Sequence, residues 1–475
     1  MKLLDLLDKI DYVSYKNQND IDFNRVTYDS RKVKKNGIFV AIKGKETDGH
    51  RFIESAIEKG AALIVHTEDI AYEENISYIK VKDSRFALGE ISNLLTGFPS
   101  KNLRLIGVTG TNGKTTTATF IYRLFKKLDG SCTNIGTDGT FINDEKIDTP
   151  NTTPEISEIN EILRRSLDQA IKNAVIEASS HGLYLHRLDG LDFDYGIFTN
   201  LSMEHMDFHK TMENYFKAKM LLLENSKKQV INIDDAYGKR AKEIYKAAIT
   251  FSINEDSDFR AYDIKTIDKH LEFYVNRQKF ILNRYAIFDI YNALAAIAVL
   301  FSEGYSLETI ASCLKEIGDV KSRFEFIENK LGINIVIDFA HTPIAFEKTY
   351  QAVEKGKNII AVYGMSGDRT SEIRRKVGEI SAKNKVFSVL TLDDPKFDTY
   401  ENIAADIASG IESFGGQYIM IKNRKDAIKY ALTKAKKGDF VLLLGKGEEN
   451  FLKLKGNEKI PYNEKETVKE ILKDL

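Results

Sequence analysis

The sequence lacks tryptophan altogether and contains only two cysteines and six prolines in 475 residues. Cys132 and Cys313 cannot form a disulfide framework, and a chain of this length does not need one, so a reducing compartment is expected. No apolar run approaches the roughly 20 residues that a membrane-crossing helix needs. Asp5, Asp8 and Lys9 interrupt the first apolar residues, which predicts a short amphipathic helix rather than a secretory signal. We therefore expect a cytoplasmic protein that does not bind a membrane.

The charge also shows no bias of one sign. Lys plus Arg number 69 and Asp plus Glu number 70, for a net charge of −1. This balance gives no global reason to expect nucleic acid as a partner, so any anionic ligand must bind at a local site. The chain has 43% hydrophobic and 29% charged residues, as a globular protein does, and its length best fits three domains. We expect it to act as a monomer.

The pattern of strands and helices restarts twice along the chain, which predicts an α/β protein of three domains. Residues 1–98 mix short apolar strands with a helix and predict a small α/β domain. Residues 99–318 open on a strand, a glycine turn and a helix, which predicts a central P-loop ATPase-like domain with a parallel sheet. Within it, period-two alternation at 250–285 predicts an antiparallel stretch, and a helical pair follows at 289–317. Residues 319–475 predict a Rossmann-like, doubly wound domain.

The strongest local signal is the stretch GVTGTNGKTTT at 107–117, which follows a buried strand. Gly110 and Gly113 allow a tight turn whose N–H groups face phosphate, Lys114 adds a cation, and Thr115 can hold Mg²⁺ at a helix N-terminus. The strict phosphate-loop pattern would need glycine at position 108, where this chain has Val108. The alternative is a glycine turn without function.

Two further features of the central domain suit a metal site, although each also has an ordinary structural explanation. Glu177 ends a buried strand and could share a metal with Thr115, or it could be a solvated strand end. His205 and His209 are four residues apart and would share one face of a helix. A zinc protease would need glutamate directly after the first histidine, where Met206 stands. Structural zinc, a magnesium- or substrate-contacting histidine and simple packing all remain open.

Lys219 lies in a helical stretch and, taken alone, is expected to be a solvated helix lysine. Three loops, at 338–343, 364–369 and 445–449, each follow a predicted strand of the third domain. An open α/β sheet places its ligand loops at that end of its strands. The three loops together therefore predict a binding face.

These strings together resemble the Mur ligase family, the ATP-dependent, amide-forming enzymes of peptidoglycan precursor synthesis, and within it the MurE type. The resemblance covers nearly the whole chain. The matching strings are DSR at 29–31, DGH at 48–50, GTNGKT at 110–115, NTTP at 151–154, EASSH at 177–181, NLS at 200–202, HMD at 205–207, AK at 218–219, DFAHTP at 338–343, GMSGDR at 364–369 and GKG at 445–447.

The resemblance implies which residues would hold each substrate. Ser30 would contact the uridine end of UDP-MurNAc-L-Ala-D-Glu. The muramyl and peptide portion would be held by Thr152, Thr153, Ser179 and Arg187. ATP would be bound by Thr109, Gly110, Thr111, Asn112, Gly113, Lys114 and Thr115, with Asn292 at adenine, Asp338 at the ribose and Arg323 near the phosphates. The three domains would then bind the UDP-sugar, ATP and the amino acid, in that order.

The resemblance also implies the chemistry. Glu177 and Thr115 would share one Mg²⁺, and His205 would help to place a second. Lys219 would carry a CO₂-derived carbamate, which turns a cation into an anionic metal ligand. Together with Lys114, these residues form the implied catalytic set. The γ-phosphoryl group of ATP would pass to the D-Glu carboxylate, and an amino acid would attack the acyl phosphate after the third domain closes over the second.

The departures from the family pattern fall mainly near the implied amino-acid site. The family string for meso-diaminopimelate is Asp-Asn-Pro-Arg, whereas this chain has Asp393, Asp394, Pro395 and Lys396. Lys396 could pair with a distal carboxylate, but without the planar fork of arginine, and Asp394 could equally favour a distal ammonium. L-lysine, meso-diaminopimelate and an analogue such as lanthionine therefore all fit, so a diamino acid is the prediction.

Other positions of the same site follow the family more closely. Arg369 would contact the α-carboxylate of the amino-acid substrate, and Glu449, beside Gly445, would contact its side-chain amino group. Glu448 replaces the histidine of the family's Gly-Lys-Gly-His-Glu. Asp289 stands where the family commonly has asparagine. The alternatives are a folylpolyglutamate-type ligase, which would not be expected to have the DSR first domain, and a catalytically inactive, nucleotide-gated binding protein.

Overall fold

The computed structural model describes residues 1–17, 21–44, 47–447, 449–454 and 458–475. These residues form mixed sheets with helices packed between and around the strands, which confirms the predicted α/β class. The chain divides into two compact units, one of Met1–Asp258 with Ala295–Tyr305, the other of Phe259–Leu294 with Ser306–Leu475. No helix formed by the described residues is long and apolar enough to cross a membrane.

The first unit begins with a small five-stranded sheet. Its strands are β1 (Ser14–Lys16), β2 (Val26–Thr27), β3 (Gly37–Val40), β4 (Ala61–His66) and β5 (Ser77–Lys80), and its helices are α1 (Leu3–Leu7), α2 (Ile53–Glu58) and α3 (Ser84–Thr96). The strand order is β1-β5-β4-β3-β2, with β2 to β5 parallel and β1 antiparallel to β5. The predicted amino-terminal amphipathic helix is confirmed, because α1 buries Leu3, Leu6 and Leu7 while Leu4 stays exposed.

The second sheet of this unit carries the glycine turn. Its strands here are β6 (Arg104–Thr109), β7 (Thr133–Gly136), β8 (Gly139–Ile142), β9 (Glu145–Ile147), β10 (Asn173–Glu177), β11 (Phe193–Phe198), β12 (Ser226–Asn232) and β13 (Ile249–Ser252). The helices are α4 (Lys114–Asp129), α5 (Ile156–Asp168), α6 (Ser180–Tyr184), α7 (Met206–His209), α8 (Met212–Glu224) and α9 (Ala236–Ile244).

The strands of this sheet run in the order β13-β12-β11-β6-β10-β7-β8-β9, and the predicted parallel arrangement is confirmed. The pairs β7–β8 and β8–β9 are antiparallel, whereas the pairs from β13 through to β7 are parallel. Strands β6 and β10 are adjacent, with Val108 paired to Glu177, so the glycine turn and Glu177 leave the same edge of the sheet. Buried apolar residues of both sheets join in one continuous core, which fixes the two sheets against each other.

The second unit begins with short strand β14 (Phe259–Arg260) and an antiparallel sheet of β15 (Tyr262–Ile267), β16 (His270–Val275) and β17 (Gln278–Leu282). This sheet confirms the antiparallel stretch that period-two alternation predicts. The predicted helical pair is also confirmed, as α10 (Phe288–Ser302), whose residues from Ala295 onward are counted with the first unit, and α11 (Leu307–Lys315).

A six-stranded sheet forms the rest of the second unit. Its strands are β18 (Glu325–Ile327), β19 (Asn334–Asp338), β20 (Ile359–Tyr363), β21 (Phe387–Leu390), β22 (Gln417–Met420) and β23 (Phe440–Leu444). They are followed or joined by α12 (Pro343–Ala352), α13 (Ser371–Lys383), α14 (Tyr400–Glu412), α15 (Arg424–Lys434), the hairpin β24 (Phe451–Lys453) and β25 (Lys459–Pro461), and α16 (Glu464–Asp474).

The strand order is β18-β19-β23-β20-β21-β22, and only β18 is antiparallel. Successive residues of a strand face opposite sides of a sheet. Val336 and Leu442 accordingly belong to one buried cluster, and Ile337 and Leu443 to another on the opposite face. Both faces are therefore covered, as the doubly wound prediction requires. The loops after β19, β20, β21 and β23 leave one edge of this sheet.

Candidate active site

The turn between β6 and α4 has a backbone that only glycine suits. Gly110 has a φ of +148°, and a Cβ atom at this position would lie 1.9 Å from Thr199 Oγ1. Gly113 precedes α4 with a φ of +86°. The predicted strand–turn–helix is therefore present, and the N-terminus of α4, the end of a helix that suits phosphate, follows the loop directly. The alternative of an ordinary glycine turn does not explain the buried polar groups that surround it.

The end of β11 holds this loop in place. Asn200 makes a reciprocal pair with Asn112, because its Oδ1 accepts from the Asn112 N–H at 3.0 Å and its Nδ2 donates to the Asn112 carbonyl at 3.0 Å. The hydroxyl of Thr199 donates to the same carbonyl at 2.7 Å, and the Thr111 N–H donates to the Asn200 carbonyl at 2.9 Å. These hydrogen bonds fix the loop, which starts from the buried Thr109, against the end of β11.

Two lysines meet at one carbonyl of this loop. Lys114 Nζ donates to the Gly110 carbonyl at 3.0 Å and to the Thr111 carbonyl at 2.8 Å, and Lys219 Nζ donates to the Gly110 carbonyl at 2.7 Å. Lys219 is only 1% exposed, so the expectation of a solvated helix lysine is wrong. Burial lowers its pKa well below 10.5, the charge of Lys114 lowers it further, and Glu204 opposes the shift. The Lys219 amine is therefore neutral far more readily than an ordinary lysine.

Glu177 lies at the mouth of the loop, at the end of β10. Its side chain is 1% exposed, so the alternative of a solvated strand end is wrong. Its Oε2 accepts from the Thr115 hydroxyl at 2.9 Å and from the Thr137 hydroxyl at 3.1 Å, and its Oε1 accepts from the Thr137 N–H at 2.8 Å. A Cβ atom at Gly136 would lie 2.2 Å from Oε1, so glycine leaves room for the carboxylate. The result is a fixed pair of hard oxygen donors, Glu177 and Thr115.

The residues expected to hold the muramyl-peptide continue from Glu177. The Thr152 hydroxyl lies 3.0 Å from that of Thr137. Thr153 donates to the Glu177 carbonyl at 2.7 Å and accepts from the Ser179 N–H at 3.0 Å. Arg187 Nη1 donates to the Thr153 carbonyl at 3.0 Å. One chain of hydrogen bonds thus joins the phosphate loop to Thr152, Thr153, Ser179 and Arg187.

His205 and His209 do not share one face of a helix, because only His209 lies within helix α7. His205 precedes the short helix α7 with a φ of +56°, and its ring meets that of His181 at a centroid distance of 4.7 Å. His209 ends α7, stacks on Tyr215 and has its Nε2 3.0 Å from the Ser180 hydroxyl. Burial lowers the pKa of both His205 and His209 to about 4.

Packing therefore accounts for His209. The described residues contain no group of three or more His, Cys, Asp or Glu side chains placed to hold a metal ion, so structural zinc has no support. A magnesium site built from Thr115 and Glu177 needs no such group, because Mg²⁺ usually keeps waters and takes the other ligands from phosphate.

Ser30 lies in the turn that follows strand β2 of the small sheet, and it is 9% exposed. The preceding Asp29 accepts from the Arg31 N–H at 2.9 Å, and Lys59 Nζ donates to the Ser30 carbonyl at 3.3 Å. Ser30 is therefore held in a defined turn, on a different sheet from the loop at Gly110.

Three of the residues predicted for ATP lie in the second unit. Asp338 ends β19, and its carboxylate accepts from the N–H groups of Phe324 at 2.8 Å and Ala340 at 2.9 Å; burial raises its pKa. The guanidinium of Arg323 lies over the ring of Phe339, 5.1 Å from its centroid. Asn292, in α10, donates to Asp289 Oδ1 at 3.2 Å.

The predicted amino-acid residues occupy loops at the edge of the six-stranded sheet. Asp393 follows β21, and burial raises its pKa. Gly445 has a φ of +102°, and a Cβ atom there would lie 2.6 Å from Asp393 Oδ2. The fully buried Lys446 Nζ lies 2.5 Å from Glu449 Oε2 and 3.7 Å from Asp393 Oδ1. The structure thus brings Asp393, Gly445 and Glu449 together.

The remaining predicted residues of this site lie on neighbouring loops. Lys396 Nζ lies 3.3 Å from Asp394 Oδ2. Arg369 is partly buried after β20, and its N–H donates to the Ser366 carbonyl at 3.2 Å. Glu448 lies outside the described residues.

Comparison with known proteins decides the family. Three family models match successive parts of the chain: the Mur ligase family catalytic domain at residues 22–95, the Mur ligase middle domain at 108–300 and the Mur ligase glutamate ligase domain at 322–447. The chain belongs to the Mur ligase family. It is therefore an ATP-dependent ligase, as the resemblance implies.

Curated relatives of this Mur ligase match over its whole length. It is 40% identical to the UDP-N-acetylmuramoyl-L-alanyl-D-glutamate–2,6-diaminopimelate ligase of Clostridium tetani over 488 residues, covering 100% of each chain. It is 38% identical to ligase 1 of that description from Clostridium acetobutylicum, again covering 100% of each. A solved structure with the same description is 27% identical with a TM-score of 0.66, covering 95% of each chain.

A second solved structure, the MurF ligase of Thermotoga maritima in complex with ADP, shares the fold of this Mur ligase. It has a TM-score of 0.62 at 22% identity and covers 95% of this chain and 97% of its own.

Sequence reasoning missed one residue that shapes the site of this Mur ligase, Thr137. Thr137 gives Glu177 two of its hydrogen bonds, yet it lies 40 residues away along the chain and in no recognised string. It follows β7, the neighbour of β10 in the sheet. A prediction of β7 from the sequence would have pointed to Thr137, because it places a hydroxyl at the end of a parallel strand adjacent to β10.

Proposed function

We propose that this Mur ligase joins the side-chain carboxylate of D-Glu in UDP-MurNAc-L-Ala-D-Glu to an amine of a diamino acid, with 2,6-diaminopimelate as the substrate. The full-length relatives that carry this description support the substrates. The observation that carries the chemistry is the buried pair of Glu177 and Thr115, 2.9 Å apart at the mouth of the phosphate loop, beside the buried amine of Lys219.

We assign the three ligands to three parts of the chain: the UDP-sugar to residues 1–98, ATP to 99–318 and the amino acid to 319–475. The three family models match segments that fall within these ranges. In the first part, Ser30 would meet the uridine end, and Thr152, Thr153, Ser179 and Arg187 of the central part would hold the muramyl-peptide. The reaction would take place in the cytoplasm, with the enzyme as a monomer.

ATP would place its phosphates on the loop from Thr109 to Thr115. Lys114 supports this assignment, since its ammonium lies against the loop carbonyls and can turn to an incoming phosphate. Asn292, Arg323 and Asp338 would hold the adenosine and phosphates, as the family pattern implies. Glu177 and Thr115 suit Mg²⁺, with His205 near a second ion, and magnesium when bound would offset the charge of the phosphates.

We propose that Lys219 carries a carbamate. A neutral Nζ attacks CO₂, an N–C bond forms, one C=O electron pair moves to oxygen, and the nitrogen loses a proton to solvent. Only an uncharged amine can do this, and burial beside Lys114 favours the uncharged form. The carbamate would replace a buried positive charge near the phosphates with a negative one.

The reaction then has two halves. A D-Glu carboxylate oxygen attacks the γ-phosphorus of ATP, the bond to ADP breaks, and Lys114 offsets the charge that develops. The amine of the amino acid next attacks the acyl carbon, a tetrahedral intermediate forms, and phosphate leaves as the amide closes and the nitrogen loses its proton. Arg369 would hold the α-carboxylate, and Glu449, beside Gly445, would hold the side-chain amino group.

The decisive experiment offers the purified protein ATP, Mg²⁺ and UDP-MurNAc-L-Ala-D-Glu together with meso-diaminopimelate, lanthionine or L-lysine. We expect phosphate release and a product whose mass is that of the dipeptide substrate plus the amino acid minus water, with meso-diaminopimelate preferred. A reaction without any amino acid is the control for ATP hydrolysis. If none of the amino acids gives product, the proposed function is refuted.

A further inference from the structure

A lysine outside the family strings lies against the loop that is expected to choose the amino acid. Lys453 is the last residue of β24, and its Nζ atom lies 2.7 Å from Asp394 Oδ2 and 3.8 Å from Glu449 Oε1. Its side chain is 19% exposed, so most of it is withdrawn from water. Burial lowers its pKa, but the hydrogen bond and the charge of Asp394 outweigh burial and raise the pKa. Lys453 is thus a cation in this loop cluster.

One carboxylate oxygen of Asp394 contacts two ammonium groups. Its Oδ2 is 2.7 Å from Lys453 Nζ and 3.3 Å from Lys396 Nζ. Its Oδ1 is buried and has no hydrogen-bond partner among the described residues. Two positive charges against one negative charge leave this group with a net positive charge, and a ligand carboxylate can bridge the two ammonium groups.

The neighbouring group has the opposite balance. The Nζ atom of the fully buried Lys446 lies 2.5 Å from Glu449 Oε2 and 3.7 Å from Asp393 Oδ1. Two carboxylates therefore surround one ammonium group. The two groups touch, because Lys453 also approaches Glu449. The cluster as a whole therefore carries three acids and three lysines, with a positive end at Asp394 and a negative end at Lys446.

A ligand that bears a carboxylate and an ammonium on one carbon matches both ends of such a cluster. Its carboxylate would lie at Lys396 and Lys453, and its ammonium would lie at Glu449. The side chain of L-lysine ends in an ammonium alone, so it would leave both lysines without a counter-charge beyond Asp394. A diamino dicarboxylic acid is the class of substrate that satisfies the whole cluster.

We propose that Lys453 is a specificity-determining residue, which together with Lys396 holds the distal carboxylate of a diamino dicarboxylic acid. Two ammonium groups that meet at one oxygen of Asp394 would do here what one guanidinium fork does in the usual family string. This inference rests on the proposed function and names the residue that sets its amino-acid preference.

The test compares Lys453→Met and Lys453→Arg with the unchanged enzyme. A matched control is Lys459→Met. Lys459 is exposed and lies opposite Lys453 in the backbone register of strands β24 and β25. The measurements are kcat and KM for meso-diaminopimelate, lanthionine and L-lysine, together with KM for ATP and for UDP-MurNAc-L-Ala-D-Glu.

We expect Lys453→Met to lower kcat/KM for both dicarboxylic amino acids about tenfold or more, mostly through KM, as the loss of one charge-assisted hydrogen bond implies. The kcat/KM for L-lysine should stay the same or rise. KM for ATP and KM for UDP-MurNAc-L-Ala-D-Glu should not change. Lys453→Arg should recover most of the loss, and Lys459→Met should match the unchanged enzyme.

Equal losses for all three amino acids in Lys453→Met, or no loss at all, would overturn the role of Lys453. An unchanged enzyme that prefers L-lysine would overturn it as well, while the ligase assignment would stand. If the unchanged enzyme forms no product with any amino acid, the proposed function itself fails and the inference fails with it.

Discussion

The Nζ atom of Lys219 lies 2.7 Å from the carbonyl oxygen of Gly110, the same oxygen that accepts from Lys114 at 3.0 Å. Two lysine amines thus share one carbonyl within the phosphate loop, and one of them is almost fully buried. Such proximity disfavours two positive charges, so the buried amine is the one that gives up its proton. This relationship makes Lys219 the residue of the site most suited to reaction with CO₂.

We expect Lys219→Ala to lose most of its ligase activity, because the site then lacks the anionic group that the carbamate would supply. A short carboxylic acid such as formate or acetate should restore part of the rate, since it can occupy the space and supply the charge. Phosphate release at increasing concentrations of the acid measures this. The control is Lys217→Ala, on the same helix with its side chain 71% exposed, which should keep its activity. Full activity of Lys219→Ala without added acid would show that no carbamate is needed.

The Glu177 carboxylate gives a second prediction. Glu177→Gln keeps the size of the side chain but removes its charge, so we expect kcat to fall about 10²-fold or more while the melting temperature stays close to that of the unchanged enzyme. The Mg²⁺ concentration for half-maximal activity should also rise. Glu145→Gln, at an exposed position in β9, is the matched control. Unchanged kcat and Mg²⁺ dependence would rule out a metal-binding role for Glu177.

Gly136→Ala tests the same carboxylate from the neighbouring strand. The added Cβ would lie 2.2 Å from Glu177 Oε1, 2.8 Å from Cδ and 2.9 Å from Cγ, so the carboxylate must leave its hydrogen-bonded position. We therefore expect Glu177 to be displaced and activity to fall at least tenfold. Gly130→Ala is a contrasting variant: no atom lies within 4 Å of its added Cβ, but its φ of +81° predicts strain, so it should lose stability rather than activity. Normal activity of Gly136→Ala would show that the position of Glu177 is not critical.

The sequence alone predicts the elements whose signals are local. Strand β10 contains the apolar run 174–176 and ends at Glu177, as its sequence predicts, and the glycine turn at Gly110 is recognisable because glycine, lysine and the helix start follow one another directly. The burial of Lys219 depends instead on the loop packed against its helix, far away in sequence, and its own helical stretch gives no sign of this. The contacts of Thr137 and Lys453 could not be predicted for the same reason, because their partners Glu177 and Asp394 lie on other strands and loops.

A buried ion pair in the second unit links two residues expected to hold ATP. Arg284 Nε donates to Asp289 Oδ2 at 2.8 Å, and Asp289 Oδ1 accepts from Asn292 at 3.2 Å. Arg284 also donates to the carbonyl of Arg323 and lies 3.0 Å from Asp319. Because the side chains of Arg284 and Asp289 are almost completely buried, removing one charge leaves the other without compensation.

We expect Arg284→Met to lower the free energy of unfolding by about 3–5 kcal/mol, as the loss of one member of a buried ion pair does. KM for ATP should rise, since Asn292 loses its support. Adding Asp289→Asn to this variant should recover part of the stability, because the unpaired charge that is fully buried is then gone and Asp319, which is half exposed, can be solvated. Arg277→Met, in an exposed turn, serves as the control. Chemical denaturation and ATP kinetics give both quantities, and a double variant no more stable than the single one would contradict the ion-pair argument.

The buried histidines predict how stability depends on pH. Burial lowers the pKa of His205 and His209 to about 4, whereas an unfolded histidine has an ordinary value of 6.5. Between these values the unfolded chain binds protons that the folded chain does not, so stability falls as the pH drops from above 6.5 towards 4. We expect His209→Gln to show a smaller fall in melting temperature between pH 7.5 and pH 5 than the unchanged enzyme, because one of these groups is gone. Between pH 7.5 and pH 8.5 the melting temperatures of the two proteins should respond alike, because histidine is neutral there in both the folded and the unfolded chain. This range is the internal control. Parallel curves over the whole range would show that His209 is not held in its neutral form.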